Sequence, residues 1–220
     1  TLDAFGRLFA VLPVWRLTAN SLLVVALAVP LTLLTASWAG LAMARLPRPA
    51  QRRWVLVSLL ALMVPGVALW SSRFLIYSRL GLSDNYGALL APALMGGSPF
   101  YVLMFYRAFR RIPTAIYDAA ALDGAGVLAT WRRVALPIAR PTAAAVAVRA
   151  LGASWGDYLS PLLYLCDARR YTLPVGLELL RQLGRADYPL LLAGALWAMA
   201  APLAIVLLAV ALFRRMRDEG

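Results

Sequence analysis

The chain has 220 residues, of which 62% are hydrophobic and only 15% charged, with 22 basic against 10 acidic side chains. A water-soluble domain is about half apolar and about a quarter charged, so a mean hydropathy of +0.74 excludes one and calls for a lipid environment. Every basic residue is Arg, there is no His, and Cys166 is the single cysteine. Without Lys no phosphate-binding P-loop can form. Without His there is no Ser-His-Asp triad or His-based metal site, and one Cys cannot make a disulfide framework. No catalytic residue and no metal site are therefore expected, and Cys166 reads as a small buried apolar residue. The net charge of +12 falls in short clusters between apolar runs, as in membrane proteins. It lacks the aromatic-lined basic groove of a nucleic-acid binder.

In chain order, the opening TLDAFGRLF lacks the basic and apolar regions of a signal peptide. Five apolar runs are long enough to cross a bilayer, which takes roughly 20 residues. They are Leu17–Ala44, Trp54–Ser72, Asn85–Tyr106, Pro141–Leu165 (interrupted by Arg149 and Asp157) and Tyr188–Phe213. The fold class is an all-α membrane protein, one polytopic transmembrane helix bundle over residues 1–220. Breakers stand at Pro30, Pro65-Gly66, Pro92, Gly96-Gly97-Ser98-Pro99 and Pro202. They read either as kinks in a tight bundle or as joints of a bundle that rocks. Ala193-Gly194-Ala195 suits close helix packing, and Trp38, Trp54, Trp70, Trp131 and Trp197 suit interface anchoring or packing.

The denser arginines lie at Arg45, Arg48, Arg52, Arg53, then Arg107, Arg110, Arg111, Arg132, Arg133, Arg140, then Arg214, Arg215, Arg217. The opposite ends carry Arg7, Arg16, Arg73, Arg79, Arg169, Arg170, Arg181 and Arg185. The positive-inside rule puts the first set in the cytoplasm, with the N-terminus of this chain outside and the C-terminus inside. An odd number of spans starting outside points to one further helix ahead of residue 1.

The longest cytoplasmic segment is residues 112–137. Pro113 suits a first helical turn, and Ile116, Ala119, Ala120 and Leu122 form a small apolar patch beside Asp118 and Asp123. Gly124 is a natural helix stop. A second short helix, about Val127–Ala135, should end at Pro137, giving two short helices at a right-angled elbow.

This segment reads Asp118-Ala119-Ala120, three residues, Gly124, nine residues, Val134-Ala135-Leu136-Pro137. It resembles the cytoplasmic signature of ABC importer permeases, E-A-A, three residues, G, nine residues, I-x-L-P, with Asp for Glu and Val for Ile. Other pieces are similar to the carbohydrate-uptake branch of that superfamily, in particular the smaller maltose-transporter membrane subunit. They are Asn20-Ser21-Leu22, Met63-Val64-Pro65-Gly66, Ile112-Pro113, Ser154 through Leu159, and Tyr171 through Gly176. Gly156 departs from the branch's usual Asn.

The resemblance implies a permease subunit in a bacterial inner membrane, with six spans in the full chain. The 112–137 loop would be a coupling helix on a separate ATPase dimer, which would bind ATP and Mg. Its coupling residues would be Asp118, Ala119, Ala120, Asp123, Gly124, Ala125, Leu136 and Pro137. The further partners implied are a second permease, an extracytoplasmic solute-binding protein, the lipid bilayer and a sugar-like solute. No cofactor is implied for this chain itself.

Charged residues at membrane depth face cavities or each other. Arg149 and Asp157 are about 12 Å apart along a helix axis, too far for a direct bond. One reading has them line the solute path with Asn20, Trp155 and Tyr158. The other puts Asp157 near the outer interface and Arg149 against a neighbouring subunit. An Arg149 facing the path would favour an anionic solute such as a sugar phosphate. A self-contained channel or gradient-driven carrier is the competing function, but such carriers use several intramembrane acids and Asp157 is the single candidate here. A membrane-embedded enzyme finds no catalytic constellation.

Overall fold

The computed structural model describes residues 2–183 and 187–218, with side chains at 3–182 and 187–207. Among them there is no strand. The helices are α1 Leu2–Val11, α2 Val14–Arg45, α3 Arg48–Met63, α4 Trp70–Arg79, α5 Gly87–Leu94, α6 Pro99–Arg110, α7 Thr114–Leu122, α8 Val127–Ile138, α9 Arg140–Trp155, α10 Leu159–Tyr164, α11 Leu173–Leu183 and α12 Tyr188–Asp218. Three segments are long and apolar enough to cross a membrane singly: Val14–Arg45, Gly87–Arg110 and Tyr188–Leu207. Two bent pairs bring the number to five if each is one span. An all-α membrane bundle is what the hydropathy demanded.

The run expected at Trp54–Ser72 is not one straight helix. It turns by 89° between Met63 and Gly66. Val64 is extended at φ −75°, ψ 118°, as the residue before a proline prefers, and Pro65 has no N–H to continue the helical ladder. The helix expected to end at Pro137 runs on to Ile138. Proline at position 137 sits in the first turn of a new helical stretch after a π-helical turn at Trp131–Ala135, where its missing N–H costs nothing. The chain then bends by 84° into α9.

The chain divides into two compact units. The first comprises Thr1–Ala26, Leu82–Leu89 and Leu151–Gly220. Within it α1 lies on α12, and Leu8 is fully buried. Phe9, Trp15 and Trp197 stack and cross edge to face at 4.9–5.6 Å. The indole N–H of Trp197 donates to the Thr18 hydroxyl at 3.0 Å, and that of Trp155 donates to the Ala198 carbonyl at 3.0 Å. These two tryptophans are packing residues with satisfied donors.

The second unit comprises Leu27–Gly81 and Leu90–Ala150. Its core is where α2, α6 and the segment after α6 meet, with Phe105 and Phe109 stacked at 5.7 Å. Gly40 makes this possible. A Cβ there would stand 2.6 Å from Phe105 Cβ and 2.8 Å from the Tyr106 backbone nitrogen, so α2 and α6 touch main chain to main chain. Gly96 and Gly97, at φ +82° and +69°, end α5 beneath the same helix. Ser98 then caps α6 by accepting from Phe100 N at 3.3 Å.

Gly40→Ala should destabilise the protein by about 1–3 kcal/mol, the range for forcing an extra carbon into a packed core. The readout is a lower thermal-unfolding midpoint in detergent. Gly152→Ala, where a Cβ would meet nothing within 4 Å, should leave the midpoint unchanged or raise it. Equal behaviour of the two variants would show that α2 and α6 have room to part.

Candidate functional site

Helix α7 ends as its sequence dictates. Gly124 takes φ +73°, its N–H donates to Ala121 O at 3.0 Å, and Ala125 N–H donates to Ala120 O at 2.9 Å. This pair of bonds closes the helix and frees the chain to turn. The turn carries a run of outward-facing side chains. Leu122 is 90% exposed and Val127 83%, with Asp118, Ala119 and Asp123 exposed beside them and Ala125 half-buried. Two aliphatic and two acidic side chains thus share the exposed edge of the turn.

The inner side of the loop is anchored. Tyr117 and Ala120 are buried, and Tyr117 donates to Phe109 O at 3.4 Å. Burial raises the Tyr117 phenol above its usual range, and the Arg45 charge partly offsets this. The Arg45 guanidinium lies 4.6 Å from the centre of the Tyr117 ring. Trp131, at the start of the π turn, crosses Trp38 edge to face at 5.8 Å. Its indole donates to the hydroxyl of Ser37 at 3.1 Å. Ser37 is fully buried and donates in turn to Leu34 O. Leu136 and Pro137 are half-buried behind this turn and Ala135 is fully buried. The predicted coupling residues therefore divide into an outward set (Asp118, Ala119, Asp123, Gly124) and an inward set (Ala120, Leu136, Pro137), with half-buried Ala125 between them.

A polar chain that the sequence did not reveal holds the base of the loop. Gln51 donates to Ala44 O at 3.1 Å and Leu46 O at 2.7 Å, which caps the open carbonyls at the end of α2. Its own carbonyl accepts from Tyr106 OH at 3.1 Å, and Arg110 donates to that hydroxyl at 3.2 Å. The only hint in the sequence was a Gln among arginines at the start of α3.

The residues read as lining a solute path fall out differently. Arg149 is exposed on α9. Asp157 accepts from Ser160 N at 3.0 Å and so starts α10. Asn20 donates to the carbonyls of Arg169 and Tyr171, both at 2.9 Å, and Ser21 accepts from Leu173 N at 2.8 Å; the Asn-Ser pair pins the chain that enters α11. Trp155 is buried. Tyr158 opens on a cavity of about 390 Å³, shared with Glu178 and Arg181. Those two form an ion pair at 2.6 Å one turn apart on α11, which keeps the Glu178 carboxyl below its usual range.

Cys166 is exposed rather than buried. It belongs to a loop organised by Asp84, which sits at φ +55°. The Asp84 carboxylate accepts from Cys166 N and Asp167 N, both at 2.9 Å, and pairs with Arg170 at 3.0 Å. These partners hold its pKa below the ordinary carboxylate value, with the Asp167 and Cys166 N–H groups first and Arg170 after them.

The family model for the binding-protein-dependent transport system inner membrane component matches residues 36–218. The chain belongs to that family. It is 31% identical over 195 residues to the arabinooligosaccharides transport system permease protein AraQ of Halalkalibacterium halodurans, covering 88% of this chain and 69% of that protein. It is 30% identical over 178 residues to the maltodextrin transport system permease protein MdxG of Bacillus subtilis, covering 81% and 64%. It thus spans about two thirds of the length of these relatives. Its fold matches that of a bacterial ABC transporter involved in the import of the acidic polysaccharide alginate, at TM-score 0.73 and 21% identity, over 94% of this chain and 77% of that one. The chain is a transport permease component of a membrane, a non-catalytic role.

Asp84→Asn should lower the thermal midpoint at neutral pH. A depressed folded-state pKa contributes stability above the unfolded pKa, and that stability is lost as pH falls through the folded value. The gap between the variant and the unsubstituted protein should therefore close in acid, as followed by thermal scans across pH. A gap constant with pH would remove Asp84 from the loop's support.

Proposed function

We propose that this chain is one of two permease subunits of an ATP-driven importer for a sugar or oligosaccharide, and that the Thr114–Ile138 loop docks on a separate ATPase dimer on the cytoplasmic side. The observation that carries this is the loop's two-sided build. Its outward edge offers Leu122, Val127, Asp118 and Asp123 to a partner, while its inward edge is bolted to the bundle by Tyr117 and Trp131. A push on the first therefore moves the second. ATP and Mg belong to the partner ATPase, and solute arrives from an extracytoplasmic binding protein. The arginines at the loop end of the bundle support an orientation with the C-terminus in the cytoplasm. The names of the relatives support a carbohydrate solute.

Asp118 would meet a basic group on the ATPase in a charge-assisted contact, and Gly124 would let α7 and α8 fold into the cleft. Asp118→Lys should insert and assemble normally. In proteoliposomes holding the whole transporter, ATP hydrolysis should persist while solute uptake per ATP falls roughly tenfold. Uptake at the normal ratio would rule out docking through Asp118.

On the outer side, Tyr158, with Glu178 and Arg181 beside it, offers a ring face next to charged hydrogen-bonding groups, a combination suited to a sugar. Tyr158→Ala should raise the solute concentration needed for half-maximal uptake by roughly tenfold, with the maximal rate changed less. An unchanged half-saturation would remove Tyr158 from the path.

A further inference from the structure

A cavity of about 630 Å³ lies between the last two turns of α2 and the loop, bounded by Trp38, Leu41, Arg45, Tyr117, Leu128 and Trp131. That volume is typical of sites that enclose a small molecule or one chain of a larger one. Its walls are apolar except at one end, where Arg45 leans over Tyr117. Arg45 is exposed, and among the described residues no carboxylate pairs with it. The α2 end of the cavity is basic, whereas Asp118 and Asp123 stand on the exposed edge of the loop outside the lining. Arg48 follows Arg45 three residues later, and Arg110 is tied to the same end of the unit through Tyr106 and Gln51.

Depth decides between a soluble and a membrane ligand. Trp38 and Arg45 are seven residues apart on one helix, roughly 10 Å along its axis. Tryptophan marks the membrane–water boundary, and arginine at the end of a span reaches into the headgroups. On this placement the α2 wall of the cavity runs from the upper acyl region to the phosphate layer of a single leaflet, with the loop closing it from the water side. Basic pockets at this level between membrane helices bind anionic lipid headgroups.

We propose that this cavity holds an acyl chain of an anionic phospholipid whose phosphate rests on Arg45. The proposal rests on the function above only in naming the leaflet, the cytoplasmic one. Tyr117 and Trp131 belong at once to the cavity wall and to the loop's inner anchor, and Val127 closes the cavity at the turn, so the lipid braces the loop from behind while Asp118, Leu122 and Asp123, which lie outside the lining, stay free for the ATPase.

The test uses the assembled transporter in nanodiscs of phosphatidylcholine doped with a photoreactive-chain phosphatidylglycerol, which reaches both leaflets and so is independent of orientation. After irradiation, adducts are mapped by peptide mass spectrometry. Labelling should concentrate on the Trp38–Arg45 turns and on Trp131. Arg45→Gln should reduce it about fivefold, and Ala42→Trp, which fills the cavity, should reduce it at least as much. Labelling unchanged in both variants, or equal labelling by photoreactive phosphatidylcholine, would overturn the proposal. So would displacement of the label by excess glycerol phosphate, since that would make the ligand a soluble phosphate. Asp118→Lys separates the two readings. It should lose coupling and keep its labelling; normal coupling with normal labelling would mean that docking through Asp118 has failed and the lipid site stands, whereas lost coupling together with labelling that neither Arg45→Gln nor Ala42→Trp reduces would mean that the lipid site has failed and the docking stands.

Discussion

The structure depends on how closely α2 and α6 cross. Gly40 lets the Phe105 and Tyr106 backbone lie directly against α2, and everything at that end of the second unit takes its position from this contact. In lipid, apolar side chains gain little from meeting one another, so close van der Waals fit carries helix association. A glycine at the crossing also aligns the two helix ends. Gln51 can then cap the carbonyls closing α2 and accept from Tyr106 on α6. The segment that follows α6 leaves from a fixed platform.

Where side-chain chemistry and backbone rules act locally, the sequence was readable. Gly124 as the stop of α7, Gly96-Gly97-Ser98-Pro99 as a break in an apolar run and the apolar runs of the bundle all follow from turn and hydropathy rules. What was harder to read depends in part on distant partners. Cys166 is exposed because Asp84, over eighty residues away, fixes its backbone. Asp157 and Asn20 stood out as polar residues among apolar ones. Asp157 accepts from Ser160 N three residues on, a local turn contact, whereas the carbonyls that Asn20 meets, of Arg169 and Tyr171, lie about 150 residues away and no local pattern encodes them. Hydropathy counted the run through Pro65 correctly as apolar, but a count carries no direction and cannot report an 89° turn.

The second unit separates holding from presenting. The residues that hold the loop are aromatic and buried, Tyr117 by its bond to Phe109 and Trp131 by its bond to Ser37. The residues that present it are small, acidic or bare aliphatic. Asp118, Ala119 and Ala120 are consecutive in sequence, yet Ala120 faces the bundle and its two neighbours face out. The docking proposed for this loop rests on that division between buried anchors and an exposed edge.

The π turn at Trp131–Ala135 has a consequence for how this segment can change in length. A π turn holds one residue more than an α turn of the same advance. Removing one residue between Val127 and Ala135 can therefore be absorbed by relaxing the turn to ordinary α geometry, which leaves Ala135 and Ala139 buried and the bend into α9 aimed as before. A second removal would find no such slack and would rotate all that follows by about 100° about the helix axis. The turn thus works as a reserve of a single residue, held just ahead of the helix that enters the membrane.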